Sequence, residues 1–245
     1  LRSGTKKRAF KMTQRRRLSG GLIDRRQPLN FEFEGRKYTG YLGDTLASAL
    51  LANGVQLMGR SFKYHRPRGP FASGSEEANA IVELREGARK EPNTRATTIE
   101  LYDGLTAKSQ NRWPSLAYDM MAINDLFSNF LSAGFYYKTF MWPASFWEKV
   151  YEPIIRRMAG LGSANSEPDP DSYDKGFLYC DLLIIGAGSA GLAAALVAGR
   201  AGVDVILADE DFLIGGRLNQ DSLIINDQEG SHFATSIYEE LISLP

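Results

Sequence analysis

Three glycines carry the clearest chemistry in this chain. Gly186, Gly188 and Gly191 form G-x-G-x-x-G within "CDLLIIGAGSAGLAAALVAGRAGVDVILADED". The run Leu182 to Ile185 before them is apolar throughout, as a strand covered on both faces requires. Gly186 permits a tight turn, Gly188 lets the backbone approach a pyrophosphate, and Gly191 lets helix and strand pack closely. The small apolar residues that follow predict a helix. Its first turn, with Ser189 and Ala190, offers N–H groups and a positive dipole end to phosphate. A second strand is predicted over Val203 to Leu207, with Asp209 after it. Asp209 stands 23 residues beyond Gly186 (209 − 186), close to the spacing of about 20 for an acid that binds a ribose hydroxyl. Such an acid repels a 2′-phosphate, which favours NAD or FAD over NADP. Glu210 is adjacent and can share the role.

The surrounding chain bounds what such a site serves. Its 245 residues suit one large or two small domains, with ordinary hydrophobic (43%) and charged (24%) content. Formal net charge is zero, so no global field draws nucleic acid or a membrane. No apolar run approaches the roughly 18 residues of a membrane span. The single cysteine, Cys180, excludes an intrachain disulfide framework and fits a reducing, cytoplasmic setting. Its place before an apolar strand predicts a buried, inert thiol.

Residues 1–17 hold eight basic residues and no acid. A twin-arginine export signal at Arg16 and Arg17 fails because no apolar segment follows. A nucleic-acid arm lacks interleaved aromatics, so a solvated, disordered tail over 1–22 is expected. Met12 opens "MTQRRRLSGGLIDRR" and reads as the natural start, with the preceding residues vector-derived or mistranslated.

Three blocks follow. Residues 23–92 read as strand, turn, strand, helix. Phe31 and Phe33 alternate with Glu32 and Glu34, Glu34-Gly35 is the turn, and Asp44 is placed to cap a helix carrying Leu46, Ala49, Leu50 and Val55. Gly54 suits that helix's end. "AIVELREG" gives a further strand. Residues 93–175 are rich in aromatics broken by Pro114, Pro143 and Pro153. They predict short helices and loops packing against another domain or subunit, then a polar linker. Residues 176–245 begin the nucleotide-binding unit. A doubly wound sheet needs several more strands than this segment supplies, so a piece of a longer protein is expected. No constellation of general base and nucleophile is present.

"GDTLASALLANGV" and "RPRGPFASGSEEANA" resemble the ferredoxin-like domains attached to amine and amino-acid dehydrogenases. In those domains the second stretch leads into a C-x4-C-x2-C loop holding a [2Fe–2S] cluster. Here Ala72, Glu77 and Ala80 stand at that spacing, so no iron–sulfur cluster is expected. In "SFKYHRPRG", His65 has no second His or Cys nearby to complete a metal site. With Lys63, Arg66 and Arg68 it forms a basic cluster suited to an anion or to an acidic partner surface. In flavoproteins with two dinucleotide sites, a Gly-Gly after the second strand closes over the cofactor. By that resemblance Gly216 and Arg217 line the site.

The order "GRSFKYHRPRG", "EPNTRATTIELYDGLTAKSQNRWPSLAYD", "AGFYYKTFMWP" and "FWEKVYEPIIRRMAGLG" closely resembles the alpha subunits of heterotetrameric sarcosine oxidases, from about residue 16 to the end. The resemblance implies a cluster-less ferredoxin-like β-grasp domain, class α+β. After it comes the first part of an α/β Rossmann-type domain. It implies an N-terminal fragment that binds NAD, with FAD less favoured at this site. The NAD positions are then the turn around Ala190, with Asp209, Glu210, Asp211 and Arg217. The complex oxidises sarcosine to glycine with oxygen, yields hydrogen peroxide and passes a one-carbon unit to tetrahydrofolate. FAD and FMN are expected on or next to the beta subunit. Beta, gamma and delta subunits are the partners, and the folate module lies in a C-terminal half. An alpha subunit of a related opine or amino-acid dehydrogenase, and a docking module with a vestigial nucleotide site, remain the alternatives. Alone, the chain is expected to turn over no sarcosine.

Overall fold

The alternating phenylalanines build the first strand as expected. In a computed structural model describing residues 14, 16–18, 21–129, 134, 142–158, 160, 162–221 and 223–244, β1 (Asp24–Phe33) and β2 (Arg36–Leu42) form an antiparallel hairpin. Most of the basic tail, with Met12, and most of "AGFYYKTFMWP" lie outside the described residues. Phe31 and Phe33 are buried, and each such side chain contributes about 1.5–3 kcal/mol. The turn at Glu34 and Gly35 has φ of 52° and 72°, the left-handed conformation of a two-residue hairpin turn.

Helix α1 (Leu46–Ala52) follows, with Leu46, Ala49 and Leu50 buried on the sheet and Gly54 beyond its end at φ 82°. The expected cap differs. Thr45 is the N-cap: its hydroxyl accepts the Ser48 N–H (3.1 Å) while the Ser48 hydroxyl accepts the Thr45 N–H (2.9 Å), a reciprocal capping box. Asp44 is fully buried and serves other donors. It accepts both Arg17 terminal amines (2.9 and 2.7 Å), the Tyr41 N–H (2.9 Å) and the Ser48 hydroxyl (2.6 Å). Thr45→Ala is expected to cost about 1 kcal/mol, read as a lower melting temperature of this block with its fold intact.

The sheet is completed by β5 (Ile81–Leu84), β6 (Glu91–Arg95) and β7 (Leu105–Ser109), in the order β2-β1-β7-β5-β6. Strand β7 runs parallel to β1, and the other pairings are antiparallel. The first block therefore runs past residue 92, because a strand after that boundary fills the middle of its sheet. A small hairpin of β3 (Gly59–Arg60) and β4 (Pro67–Arg68) stands beside it. Leu50, Met58, Val82, Leu84, Leu101 and Leu105 are fully buried with the two phenylalanines.

The aromatic block forms a 3-10 turn at Met120–Phe127, a second at Ala144–Phe146, a π-helical turn at Trp147–Tyr151 and α2 (Glu152–Met158). His65 Nδ1 lies 2.6 Å from Asp119 Oδ2, both side chains buried, and fastens this block to the β3–β4 hairpin. Trp113, Tyr118, Leu126 and Trp142 are exposed within this chain. Residues 162–181 hold no regular element. They fold back on the first block: Arg89 pairs with Asp171 (2.6 Å) and the Asn165 side-chain amide donates to the Gly87 carbonyl (2.9 Å).

The last block is a parallel pair, β8 (Leu182–Ile185) and β9 (Val205–Ala208), joined by α3 (Ser189–Arg200). A short hairpin of β10 (Ile224–Ile225) and β11 (Gln228–Glu229) leads into α4 (Gly230–Ser243). Leu192, Leu218, Ala234 and Ile237 form its core. Coverage of β8 on both faces is not seen among the described residues. Leu183 and Ile185 are 56% and 76% exposed, because only one helix layer and one neighbouring strand pack on it. Cys180 is half-buried rather than buried, since residues 177–179 before it are exposed. Among the described residues no helix is long and apolar enough to cross a membrane.

Candidate functional site

The glycine turn sits at the C-terminal end of β8, where Ile185 pairs with Ala208 of β9. Gly186 has φ 100°, a conformation that only glycine adopts without strain. At Gly191 a Cβ would fall inside the Gly186 carbonyl oxygen, so this glycine exists for backbone packing. Gly188 is different. Its φ is −71°, and a Cβ there meets nothing within 4 Å. The protein's own packing does not require glycine at this position, and open space lies in front of it. Gly188 is also the N-cap of α3 and offers no side-chain cap. The N-terminal amides of α3 thus keep their capacity to bind an anion.

Asp209 lies next to the turn. One carboxylate oxygen accepts the Ala187 N–H and the other accepts the Asp211 N–H (2.8 Å). The acid therefore ties the end of β9 to the glycine turn as well as facing outward. Glu210 points away from Asp209 towards the first block, 3.9 Å from Arg95. Asp211 is half-buried, and its carboxyl is raised by burial, reinforced by the charges of Asp209 and Glu210. The Gly215 N–H donates to the Ala187 carbonyl (2.8 Å), and a Cβ on Gly216 would rest 3.4 Å from the Gly188 Cα. The Gly-Gly step thus closes against the glycine turn. Arg217 is exposed and held by Asp221 (3.0 Å). Ser189 and Ala190 are exposed in the first turn of α3.

A second feature falls on a position the sequence comparison named only for the thiolate it lacks. In the loop 71–80, Glu77 is 2% exposed. Its Oε2 accepts the N–H groups of Phe71 (2.6 Å) and Ala72 (2.7 Å), and its Oε1 those of Asn79 (2.5 Å) and Ala80 (2.9 Å). Burial by itself raises this carboxyl, but the four backbone donors outweigh it and hold it below the usual 4.5. Its sequence signals are a glutamate among small residues in a turn-rich loop and its place at the second position of the C-x4-C-x2-C spacing. Among the described residues no group of three or more His, Cys, Asp or Glu is placed to hold a metal ion.

These two centres fall in segments with recognised relatives. Residues 26–112 match the model of the 2Fe–2S iron–sulfur cluster binding domain, and residues 181–243 that of the FAD dependent oxidoreductases. Over 92% of its length the chain is 62% identical to the sarcosine oxidase subunit alpha of Rhizobium meliloti (strain 1021), and over 91% it is 31% identical to that of Corynebacterium sp. (strain U-96). It is thus a homologue of part of the sarcosine oxidase alpha subunit, a component of an oxidoreductase. The chain spans 23% and 18% of those relatives' lengths. The crystal structure of L-proline dehydrogenase from P. horikoshii aligns over 89% of this chain and 32% of its own, at 18% identity and a TM-score of 0.48.

The family matches correct two expectations. The nucleotide segment belongs with FAD-dependent rather than NAD-binding proteins. Glycine turn and acid read pyrophosphate and ribose, which both dinucleotides carry, so the fingerprint cannot choose between them. The first block belongs with 2Fe–2S cluster binding domains, against the expectation of a cluster-free module. That family pattern extends over the whole sheet and helix, whereas the expectation rested on three loop positions. The one cysteine of the chain, Cys180, lies outside residues 26–112. The matched segment supplies no thiolate ligand, so no chemical step is derived through a cluster.

Proposed function

We propose that this chain is the part of a sarcosine oxidase alpha subunit that binds FAD through residues 186–217. The observation that carries the reading is the open space before Gly188, beside an uncapped helix N-terminus and within a segment matching FAD dependent oxidoreductases. Bound FAD supplies a two-electron acceptor suited to an amine. The chain's own residues bind and orient. The N–H groups of Ser189 and Ala190 face the diphosphate, and Asp209 fixes the Ala187 amide and faces the ribose. Gly215 and Gly216 close the turn from the side. Asp211 and Arg217 border the site, and Glu210 links it to the first block.

In this reading the first block is a ferredoxin-like β-grasp domain and the last is the opening βαβ unit of a Rossmann-type domain. The exposed Trp113, Tyr118 and Trp142 dock on the beta, gamma or delta subunits. The assembled cytoplasmic enzyme oxidises sarcosine to glycine, forms hydrogen peroxide and hands its one-carbon unit to tetrahydrofolate.

The test is the cofactor released from the purified full subunit. FAD is expected by absorbance and mass, and Gly188→Val should abolish it while costing the fold no more than the roughly 1 kcal/mol of a lost N-cap residue. A folded, cofactor-free subunit, or a dinucleotide other than FAD, would overturn the assignment. Sarcosine-dependent peroxide formation by the assembled complex tests the activity separately.

A further inference from the structure

The β3–β4 hairpin borders a cavity of about 560 Å³ that the dinucleotide site does not use. Such a volume lies within the range of small-molecule sites, roughly 300–1,000 Å³. Arg60, Lys63, Arg66 and Arg68 line it, together with amide side chains such as Asn79, and no aspartate or glutamate does. Arg60 is held rigidly: its guanidinium donates to the carbonyls of Leu116 (3.0 and 2.6 Å) and His65 (3.2 Å). Neutral carbonyls fix its position without cancelling its charge. Lys63 and Arg66 lie over the same ring, Tyr64, at 5.1 and 4.8 Å from its centroid. Arg66 also pairs with Asp125 (2.6 Å), but both partners are about half exposed, and such surface pairs are weak. Arg68 is exposed and makes no ion pair among the described residues. Phe62, 57% exposed, stands on the cavity wall and offers a face for a planar ring.

We infer that this cavity is a second ligand site, for a phosphate-bearing small molecule of nucleotide size. The Arg68 fork takes the phosphate, since guanidinium geometry matches its oxygens, and the charges of Arg60 and Arg66 add to the field of the wall. Phe62 takes the ring. A concave wall with cations at several depths surrounds a compact anion better than it lies against a flat acidic protein surface.

Inorganic pyrophosphate is the probe, titrated calorimetrically into the FAD-loaded full subunit at low and raised salt. Binding is expected to weaken as salt rises. Arg68→Glu is expected to weaken it at least tenfold, equivalent to about 1.4 kcal/mol. Because Arg68 is exposed, this variant should melt like the parent. FAD occupies the dinucleotide turn during the titration, so added pyrophosphate reports this cavity, and FAD retention is read separately; failure of the FAD assignment and failure of this one are therefore distinguishable. No binding at millimolar pyrophosphate overturns the inference, as does binding that survives Arg68→Glu. Binding of a glutamate-rich peptide without binding of pyrophosphate also overturns it and assigns the cavity to a protein partner.

Discussion

Replacing Glu77 by leucine is expected to destabilise the first block by about 3–5 kcal/mol, because buried N–H groups without acceptors each cost roughly 1–3 kcal/mol. Four backbone donors converge on this one carboxylate. Leucine fills similar volume and satisfies none of them. The sum stays below four full penalties because the loop can relax and admit water. Against a typical domain stability of about 5–15 kcal/mol, the loss is a large fraction. Glu77→Gln keeps one oxygen but turns an NH2 group towards two N–H donors. It should cost about 2 kcal/mol, within the range for hydrogen bonds to a charged group. Denaturant melts of the full subunit, followed at the first block, would measure both. The pH dependence has a definite sign. The carboxyl is held below 4.5 in the folded state, so its contribution is complete above that value and is lost as pH falls through the folded-state value. Parent and Glu77→Gln should therefore converge in stability in acid and diverge near neutrality. Equal stability of the two at neutral pH would sink the argument.

The second large effect separates two glycines of one motif. Gly191→Ala places a methyl group inside the Gly186 carbonyl. The backbone fixes the position of the Cβ, and the oxygen it meets is itself backbone, so no side-chain rotation relieves the overlap and α3 must move away from β8. A shift of this kind costs about 1–3 kcal/mol or more and spreads the N-terminal amides of α3, to which the proposed site assigns the diphosphate. FAD retention and melting temperature should fall together. Gly188→Ala has space and an ordinary backbone conformation. Its methyl group meets only the ligand. Cofactor retention should fall at least tenfold while the apo-protein melts unchanged. If both substitutions reduced stability equally, the open space at Gly188 would have no part in binding.

Much of this was legible in the sequence where the determinants are local. Phe31, Phe33 and the Glu34-Gly35 turn specify the hairpin within a few residues. Strand, glycine turn, helix and acid are likewise consecutive, and the structure adds that Gly215-Gly216 packs against the turn. What was not legible depends on distant partners. Asp44 and Thr45 are both good caps; Thr45 takes the role because Arg17, 27 residues earlier, draws Asp44 into a buried ion pair. Strand β7 is five residues long and its pairing with β1 spans over seventy residues, so composition alone ends the domain too soon. Asn226 and Asp227, both at positive φ, mark the β10–β11 turn, a polar pair that short flanking strands left inconspicuous. Glu77 could be recognised as an oddity in its loop, but its four donors exist only once the loop has folded.

The anchoring of residues 162–171 on the first block shortens the leash between the two halves. With Asp171 held by Arg89 and the Asp181 N–H on the Asp204 carbonyl, residues 172–180 connect the halves. A flexible segment of that length has an end-to-end distance of roughly 15–20 Å. The halves therefore meet at an effective concentration of order millimolar. Contacts too feeble to join separate molecules become populated under that confinement, such as Ser73 to Gln220 (2.6 Å) and Arg95 to Glu210 (3.9 Å). The Arg95–Glu210 pair is exposed and screened by salt. Raised ionic strength is therefore expected to weaken this contact between the sheet domain and the glycine turn's acidic edge.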